Sequence, residues 1–300
     1  MCRPALVVLL GLLATLVSHS FAVSSCYVPR RFASLVPRGS PLSGGGGGVD
    51  ESVSLRLWKA SCAWRDEADV TSVYCHPSSS TSVLFDAIKR FSPHSFVSYD
   101  AAGNVVVLHR PGDLDLQRLK SLGISKEDLL RHYIFMMEYC LNVLDFASTR
   151  PINSASQQQQ QQPKRHHPQG TGFMTTVVDA SGMSFSKVSR PDSLSFFRSF
   201  AQIMSDNYPD RNSRLIMVNC PLWLERLFNL VFGRLMQKEA RDRFLIFGSV
   251  DKPCDRRAAA EADLGIDLKE LLNHARAEAD TNMDKAMREY AIRSSASTNT

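Results

Sequence analysis

Short apolar runs alternate with helical segments in the second half of the sequence, and this alternation is the strongest constraint on the fold. Residues 175–178, 214–219 and 244–247 are short runs rich in apolar residues, which predicts strands. Pro191 suits the first turn of a helix between the first two runs, and Pro221 begins a second helix before the third. Strands that alternate with helices pair in parallel. We therefore predict an α/β fold with a short, mostly parallel sheet and flanking helices.

The first half of the sequence adds a hairpin and a helix. Residues 95–99 and 105–109 are apolar or alternating runs around a loop that contains Gly103, which is typical of a β-hairpin. Ser125 and Asp128 have the spacing of a helix capping box, and apolar residues follow at helical spacing. We expect an antiparallel ribbon, followed by a helix that ends near residue 146.

Low-complexity sequence divides the chain. Residues 149–170 contain six consecutive glutamines and cannot form a core, so we predict a disordered insertion there. It separates residues 50–148 from residues 171–250, which we interpret as the two parts of one domain. Residues 251–300 are predicted to form a helical C-terminal extension with a disordered end.

The first 49 residues have the composition of a targeting leader. Arg3 precedes an apolar run, and small residues follow near Ala22, which predicts a signal peptide over residues 1–22. A membrane anchor is the alternative, but the run is shorter than the ~20 apolar residues that span a bilayer. Residues 23–49 are basic and contain no acidic residue, which indicates a disordered, transit-like linker. We expect entry into the secretory pathway, followed either by transport to a complex plastid or by secretion.

Charge and motifs argue against several function classes. The net charge of +5 falls to +1 over residues 50–300, because the leader holds four arginines and no acid, so we expect no nucleic-acid partner. The seven cysteines lack metal-binding spacing. Gly170 and Gly172 precede a predicted strand, whereas a dinucleotide-binding loop follows one. Residues 182–186 read GMSFS and lack the second glycine of a hydrolase nucleophile turn. We expect no catalytic centre, metal or cofactor.

Two predicted helices carry more apolar residues than a single core-facing stripe requires. The helix that begins at Pro191 is rich in phenylalanine, and residues 221–236 are apolar most of the way round. Either these helices are buried on two sides of an ordinary core, or they enclose an apolar cavity with the second helix as its gate. The candidate pocket and gate residues are Phe196, Phe197, Phe200, Trp223, Leu227, Phe228, Val231 and Leu235.

Four stretches together resemble the CRAL-TRIO domain of retinaldehyde-binding and phosphatidylinositol transfer proteins. They read TTVVDASGMSF, FFRSFAQIMSDNYPDR, RLIMVNCPLWLERLFNLVFGRL and RFLIFGS. They match the family in order and spacing, and the resemblance covers roughly residues 85–250. It implies a hydrophobic pocket that holds one lipid beneath a gate helix, which residues 221–236 match.

The resemblance also implies a site for the lipid head group. Ala240 and Met174 replace a threonine and a serine of the family's phospholipid sites, so phosphatidylinositol specificity does not follow. The positions that do match the head-group site are Asp210, Arg211, Arg243 and Thr176.

We therefore expect a non-enzymatic protein that binds a phospholipid or isoprenoid and transfers or presents it during transient contact with a membrane. The alternative is a ligand-free scaffold of the same fold that mediates membrane or protein interactions. A hydrolase is a third class, which the sequence does not support.

Overall fold

Helices precede, separate and follow the strands of the described chain. The structure is a computed structural model that describes residues 51–75, 82–145, 172–208, 211–226, 228, 243–277 and 280–296. The predicted signal peptide, the transit-like linker, the glutamine-rich insertion and the last four residues lie outside them. The helices are α1 (Glu51–Glu67), α2 (Val70–Cys75), α3 (Ser82–Phe91), α4 (Leu116–Ser121), α5 (Lys126–Tyr139), α6 (Phe185–Val188), α7 (Pro191–Asn207), α8 (Asp255–Leu264), α9 (Leu268–Ala277) and α10 (Asn282–Ala296). The strands are β1 (His94–Tyr99), β2 (Val105–His109), β3 (Met174–Asp179), β4 (Asn212–Val218) and β5 (Phe244–Ile246).

The described strands form a sheet in the order β1-β2-β3-β4-β5, so strands that are consecutive in sequence are neighbours in space. β1 and β2 are antiparallel, whereas β2 to β5 are parallel. The predicted hairpin, parallel pairing and α/β class are confirmed. Because β-helix-β crossovers are almost always right-handed, crossovers that step in one direction along a sheet place their helices on one face.

Strand β2 separates the two faces of the sheet, because successive side chains on a strand point to opposite sides. Val105 and Val107 pack into one core with residues of α3, α5 and α7, and we call this side the first face. Val106 and Leu108 belong to a second core on the opposite side. The side chains of β2 are buried on both faces of the sheet. This is expected for a parallel strand that is covered on both sides.

Helix α5 begins at the predicted capping box. The backbone N–H of Asp128 donates to Ser125 Oγ at 3.0 Å, and the backbone N–H of Ser125 donates to Asp128 Oδ2 at 2.9 Å. The helix continues into a π-helical turn, Cys140–Leu144, so the element ends close to the predicted position. Its buried residues form much of the core on the first face.

The C-terminal helices complete the fold. Leu264 of α8 and Leu268 and Leu272 of α9 pack against the second face of the sheet. The carboxylate of Asp179, at the end of β3, accepts hydrogen bonds from Asn219 Nδ2 at 2.8 Å and from Arg276 Nη2, on α9, at 2.6 Å. Helices α8 and α9 thus cover a face that the crossover helices leave open.

Helix α10 protects the edge strand β1. At a bulge in β1, Phe96 N donates to Asp284 Oδ1 at 3.1 Å, and Thr281 Oγ1 donates to the carbonyl of Phe96 at 2.5 Å. The buried Asp284 also pairs with Lys89 at 3.0 Å. Unpaired edge groups invite association with other strands, and these contacts satisfy them within the chain.

Candidate functional site

A cavity of about 250 Å³ lies on the first face of the sheet. Its floor consists mainly of residues of β3 and β4, including Val178 and Met217, which are partners in register across the two strands. Helices α5 and α7 provide the opposite wall, and most of the lining is apolar. The described aromatic and methionine residues of this wall are Tyr133, Met136, Met137, Phe196, Phe197, Phe200 and Met204.

Polar and cationic side chains mark the end of the cavity at which β4 and β5 begin. Arg211 directly precedes β4, Arg243 directly precedes β5, and both line the cavity. Thr176 Oγ1 donates to Asn212 Oδ1 at 2.5 Å, and both of these residues also line the cavity. We call this part the cationic end, because it holds two guanidinium groups.

A glycine permits the approach of Arg211. Arg211 Nη1 donates to the carbonyl of Gly172 at 3.0 Å, and a Cβ atom at Gly172 would lie 3.2 Å from the same nitrogen. Gly172 also has a φ of +73°, which favours glycine. The backbone turn before β3 therefore fixes the arginine at the cavity.

The opposite end of the cavity contains the neutral polar groups of Ser92, Tyr133 and His109, and we call it the neutral end; the one arginine beside them, Arg110, lies 3.9 Å from the carboxylate of Asp113. Ser92 Oγ lies 2.9 Å from Tyr133 OH, and the ring of His109 lies 6.0 Å from the ring of Tyr133 between centroids. All three residues line the cavity. His109 is four residues beyond Val105, which is level with Met174 and Asn212 at the cationic end. At about 3.3 Å per residue, the two ends are separated by about 13 Å along the strands.

Burial keeps His109 and the neighbouring His94 and His132 uncharged. Burial, followed by the nearby charge of Lys89, lowers the pKa of His109 to about 4 and that of His132 to about 3. Burial also lowers the pKa of His94 well below its ordinary value. His94 Nδ1 lies 2.8 Å from the carbonyl oxygen of Ser92 and therefore carries the proton. His94 Nε2 then accepts from His132 Nε2, which is 3.1 Å away.

A partly buried ion pair connects the N-terminal helix to the cavity wall. Tyr208, which lines the cavity, donates from its hydroxyl group to Glu138 Oε1 at 2.8 Å. Arg65 of α1 donates to both oxygens of the same carboxylate, at 2.9 and 2.8 Å. Burial and the charge of Glu138 raise the pKa of Tyr208 well above its ordinary value. The Arg65 pair therefore supports the wall at Tyr208.

The described part of the predicted gate lies beside the cavity. Residues 222–226 are helical, and Trp223 and Leu224 line the cavity. Trp223 packs edge-on against Phe185, with ring centroids 5.7 Å apart. Phe228 stacks at 4.4 Å on Phe244, which itself lines the cavity.

The structure brings seven of the sequence-derived candidates to the cavity lining: Thr176, Phe196, Phe197, Phe200, Arg211, Trp223 and Arg243. Phe228 reaches the site through its contact with Phe244. Other candidates lie outside the described residues, and these are Asp210, Leu227, Val231 and Leu235.

Sequence reasoning did not identify the neutral end. His109 has the same strand parity as Val105 and Val107, so the period of two could have placed it on the first face. Tyr133 belongs to the apolar periodicity of α5. Nothing local in the sequence indicates that Ser92 meets them, because Ser92 lies in the turn before β1.

The residues with described positions contain neither a metal-binding cluster nor a membrane-spanning helix. No group of three or more His, Cys, Asp or Glu side chains there could hold a metal ion. In the same part of the chain, no helix combines the length and apolarity required to cross a membrane.

Comparison with known families gives a match that spans the whole described sheet. Residues 89–256 match the CRAL/TRIO domain. Among solved structures, "Crystal structure of Sfh5" matches with a TM-score of 0.47 and 19% identity. That match covers 68% of this chain and 63% of the Sfh5 chain, so this chain spans less than two thirds of that protein's length. No curated protein sequence matches this chain.

Acidification should destabilise the fold through the buried histidines. The unfolded chain protonates a histidine below a pKa of about 6.5, whereas the folded chain does not protonate His109 until about pH 4. The stability due to neutral His109 is therefore complete above pH ~6.5 and decreases as the pH falls towards ~4, by up to about 1.4 kcal/mol per pH unit. Urea unfolding at several pH values measures this slope. We expect a smaller slope in His109→Asn, and equal slopes would contradict the assignment.

Proposed function

Because this chain belongs to the CRAL/TRIO family, whose members generally bind and carry lipids rather than act as enzymes, we propose that it binds one phospholipid or isoprenoid in the cavity and transfers or presents it at membranes. The observation that carries this proposal is an apolar cavity with two arginines at one end. Apolar walls with a few convergent polar groups are typical of lipid and small-molecule sites.

The cationic end is proposed to receive an anionic head group. A guanidinium group is planar and can donate two parallel hydrogen bonds to a phosphate or carboxylate. Arg211 and Arg243 both line the cavity, and the anion would lie beside the Thr176–Asn212 pair. We include Asp210 in the proposed head-group site on the family resemblance alone.

The segment that follows Pro221 is proposed to act as the gate. Leu222 is 68% exposed, next to Trp223, which lines the cavity. The exposed Arg226 follows on the same helical segment. An apolar side chain with a nearby cation suits insertion at the surface of an anionic bilayer. Leu227, Val231 and Leu235 complete the proposed gate.

Ser184 is the serine of the GMSFS motif, which resembles a nucleophile turn. The structure explains the position of its hydroxyl group. Its Oγ accepts from the backbone N–H of Lys187 at 3.3 Å and thereby caps α6. This contact accounts for the position of the hydroxyl group without any catalytic role. It supports the proposal of a lipid carrier over a hydrolase.

Loss of the Arg243 guanidinium should selectively weaken handling of anionic lipids. Charge-assisted hydrogen bonds contribute roughly 1.5–3 kcal/mol, and ~1.4 kcal/mol corresponds to one decade in affinity. We expect Arg243→Ala to reduce transfer of phosphatidate between phosphatidylcholine vesicles by about tenfold. Transfer of phytol, a neutral isoprenoid, should barely change. The matched control is Arg198→Ala, which removes an exposed cation from α7.

The gate provides the other arm of this experiment. Phe228→Asp places a charge against the buried ring of Phe244 and should abolish transfer of both lipids, with circular dichroism used to verify folding. If Arg243→Ala changes neither lipid while Phe228→Asp abolishes both, the head-group assignment is wrong and the pocket assignment stands. Full transfer by both folded variants would contradict the proposed function and favour a ligand-free scaffold.

We further propose that residues 1–49 direct the protein into the secretory pathway, and that the acid-free part then supports import into a complex plastid. The support is the composition of the leader, with an apolar run after Arg3 and no acidic residue before Asp50.

A fusion of residues 1–49 to a fluorescent protein should therefore enter the secretory pathway in a cell that contains a complex plastid. Acidic substitutions within residues 23–49 should block only the plastid step, because signal-peptide recognition depends on the apolar run. Microscopy distinguishes these outcomes. Cytosolic fluorescence would contradict both stages, and an unchanged destination after acidic substitution would contradict the second.

A further inference from the structure

The neutral end of the cavity offers hydrogen bonds that an apolar chain cannot use. The single contact between Ser92 Oγ and Tyr133 OH, at 2.9 Å, uses only one of the two hydroxyl protons. A neutral imidazole at His109 adds one donor and one acceptor. Among the residues that the structure describes, no other side-chain hydrogen bond involves these two hydroxyls or the His109 ring. A purely hydrocarbon guest would leave these groups without a partner, which is unfavourable in an apolar cavity.

The charges around this end favour an uncharged partner. Lys89 is paired with the buried carboxylate of Asp284 at 3.0 Å. Arg110, which also lines the cavity, has Asp113 at 3.9 Å. Burial keeps His109 neutral at pH 7 by lowering its pKa to about 4. An anion is therefore better placed at the cationic end, and a hydroxyl or carbonyl oxygen at the neutral end.

We propose that Ser92, Tyr133 and His109 form a subsite for a hydroxyl or carbonyl oxygen carried along the apolar chain of the ligand. This inference rests on the proposed function and concerns lipids with an anionic group at one end and an oxygenated chain, a description that fits an oxygenated fatty acid as well as an anionic phospholipid. The separation of about 13 Å between the two ends sets the distance between the two polar groups of the ligand.

The size of the cavity makes a single-chain lipid a suitable probe. A volume of about 250 Å³ lies just below the range of about 300–1,000 Å³ that is typical of sites for drug-sized ligands. A single-chain anion with one oxygen in the middle of its chain fits this volume. It also places its anionic group at the cationic end and its oxygen at the neutral end. Ricinoleate has this chemistry, and oleate is the same fatty acid without the hydroxyl group.

The test is a competition between these two fatty acids. The full-length chain is incubated with phosphatidylcholine vesicles that contain equal amounts of oleate and ricinoleate, is reisolated, and its bound lipids are quantified by mass spectrometry. One additional buried hydrogen bond corresponds to about a fivefold preference for ricinoleate. Tyr133→Phe and, separately, His109→Asn should reduce this preference, so that uptake of ricinoleate falls towards that of oleate in the same sample.

Tyr99→Phe is the matched control. It removes the same hydroxyl group from a tyrosine that donates to the carbonyl of Leu144 at 2.9 Å, and it should keep the preference. Equal uptake of both fatty acids by the natural chain would overturn the subsite, as would an undiminished preference in both cavity variants. Uptake of phosphatidylcholine with neither fatty acid would also overturn it while supporting the proposed function. Absence of any bound lipid would overturn both.

Discussion

The order of the strands is the constraint on which the rest of the structure depends. Because β2 to β5 are parallel and step along the sheet in sequence order, right-handed crossovers place the connecting helices on one face. That face carries the aromatic helices and the cavity. The opposite face would expose Val106, Leu108 and Ile216 without α8 and α9, which pack against these residues. The C-terminal helices are therefore required by the topology.

The same topology gives the cavity two chemically different ends. Arg211 directly precedes β4 and Arg243 directly precedes β5, and because these strands are parallel both arginines lie towards the same end of the cavity. The other end receives His109 from the end of β2, together with Tyr133 from α5. A bound molecule would therefore have a defined direction, with its anionic group at the cationic end. Neutral His109 adds hydrogen bonding to that end without adding charge.

Local sequence signals predicted the scaffold better than the site. The apolar runs, Pro191 and the Ser125–Asp128 capping box predicted strands and helices that the structure contains. Family resemblance selected Thr176 and Arg243, which line the cavity. The neutral end could not be predicted, because it forms only when a turn, the end of β2 and the middle of α5 meet. Likewise, the charged composition of α8 and α9 does not reveal which face of the sheet they cover.

The central claim is that the cavity holds one lipid, and native mass spectrometry of the purified full-length chain tests it most directly. The account predicts a species heavier than the chain by the mass of a single lipid, either as purified or after incubation with vesicles of phosphatidylcholine and phosphatidate. Organic extraction should release that lipid and leave the mass of the bare chain. The mass of the bare chain under every one of these conditions would contradict the claim.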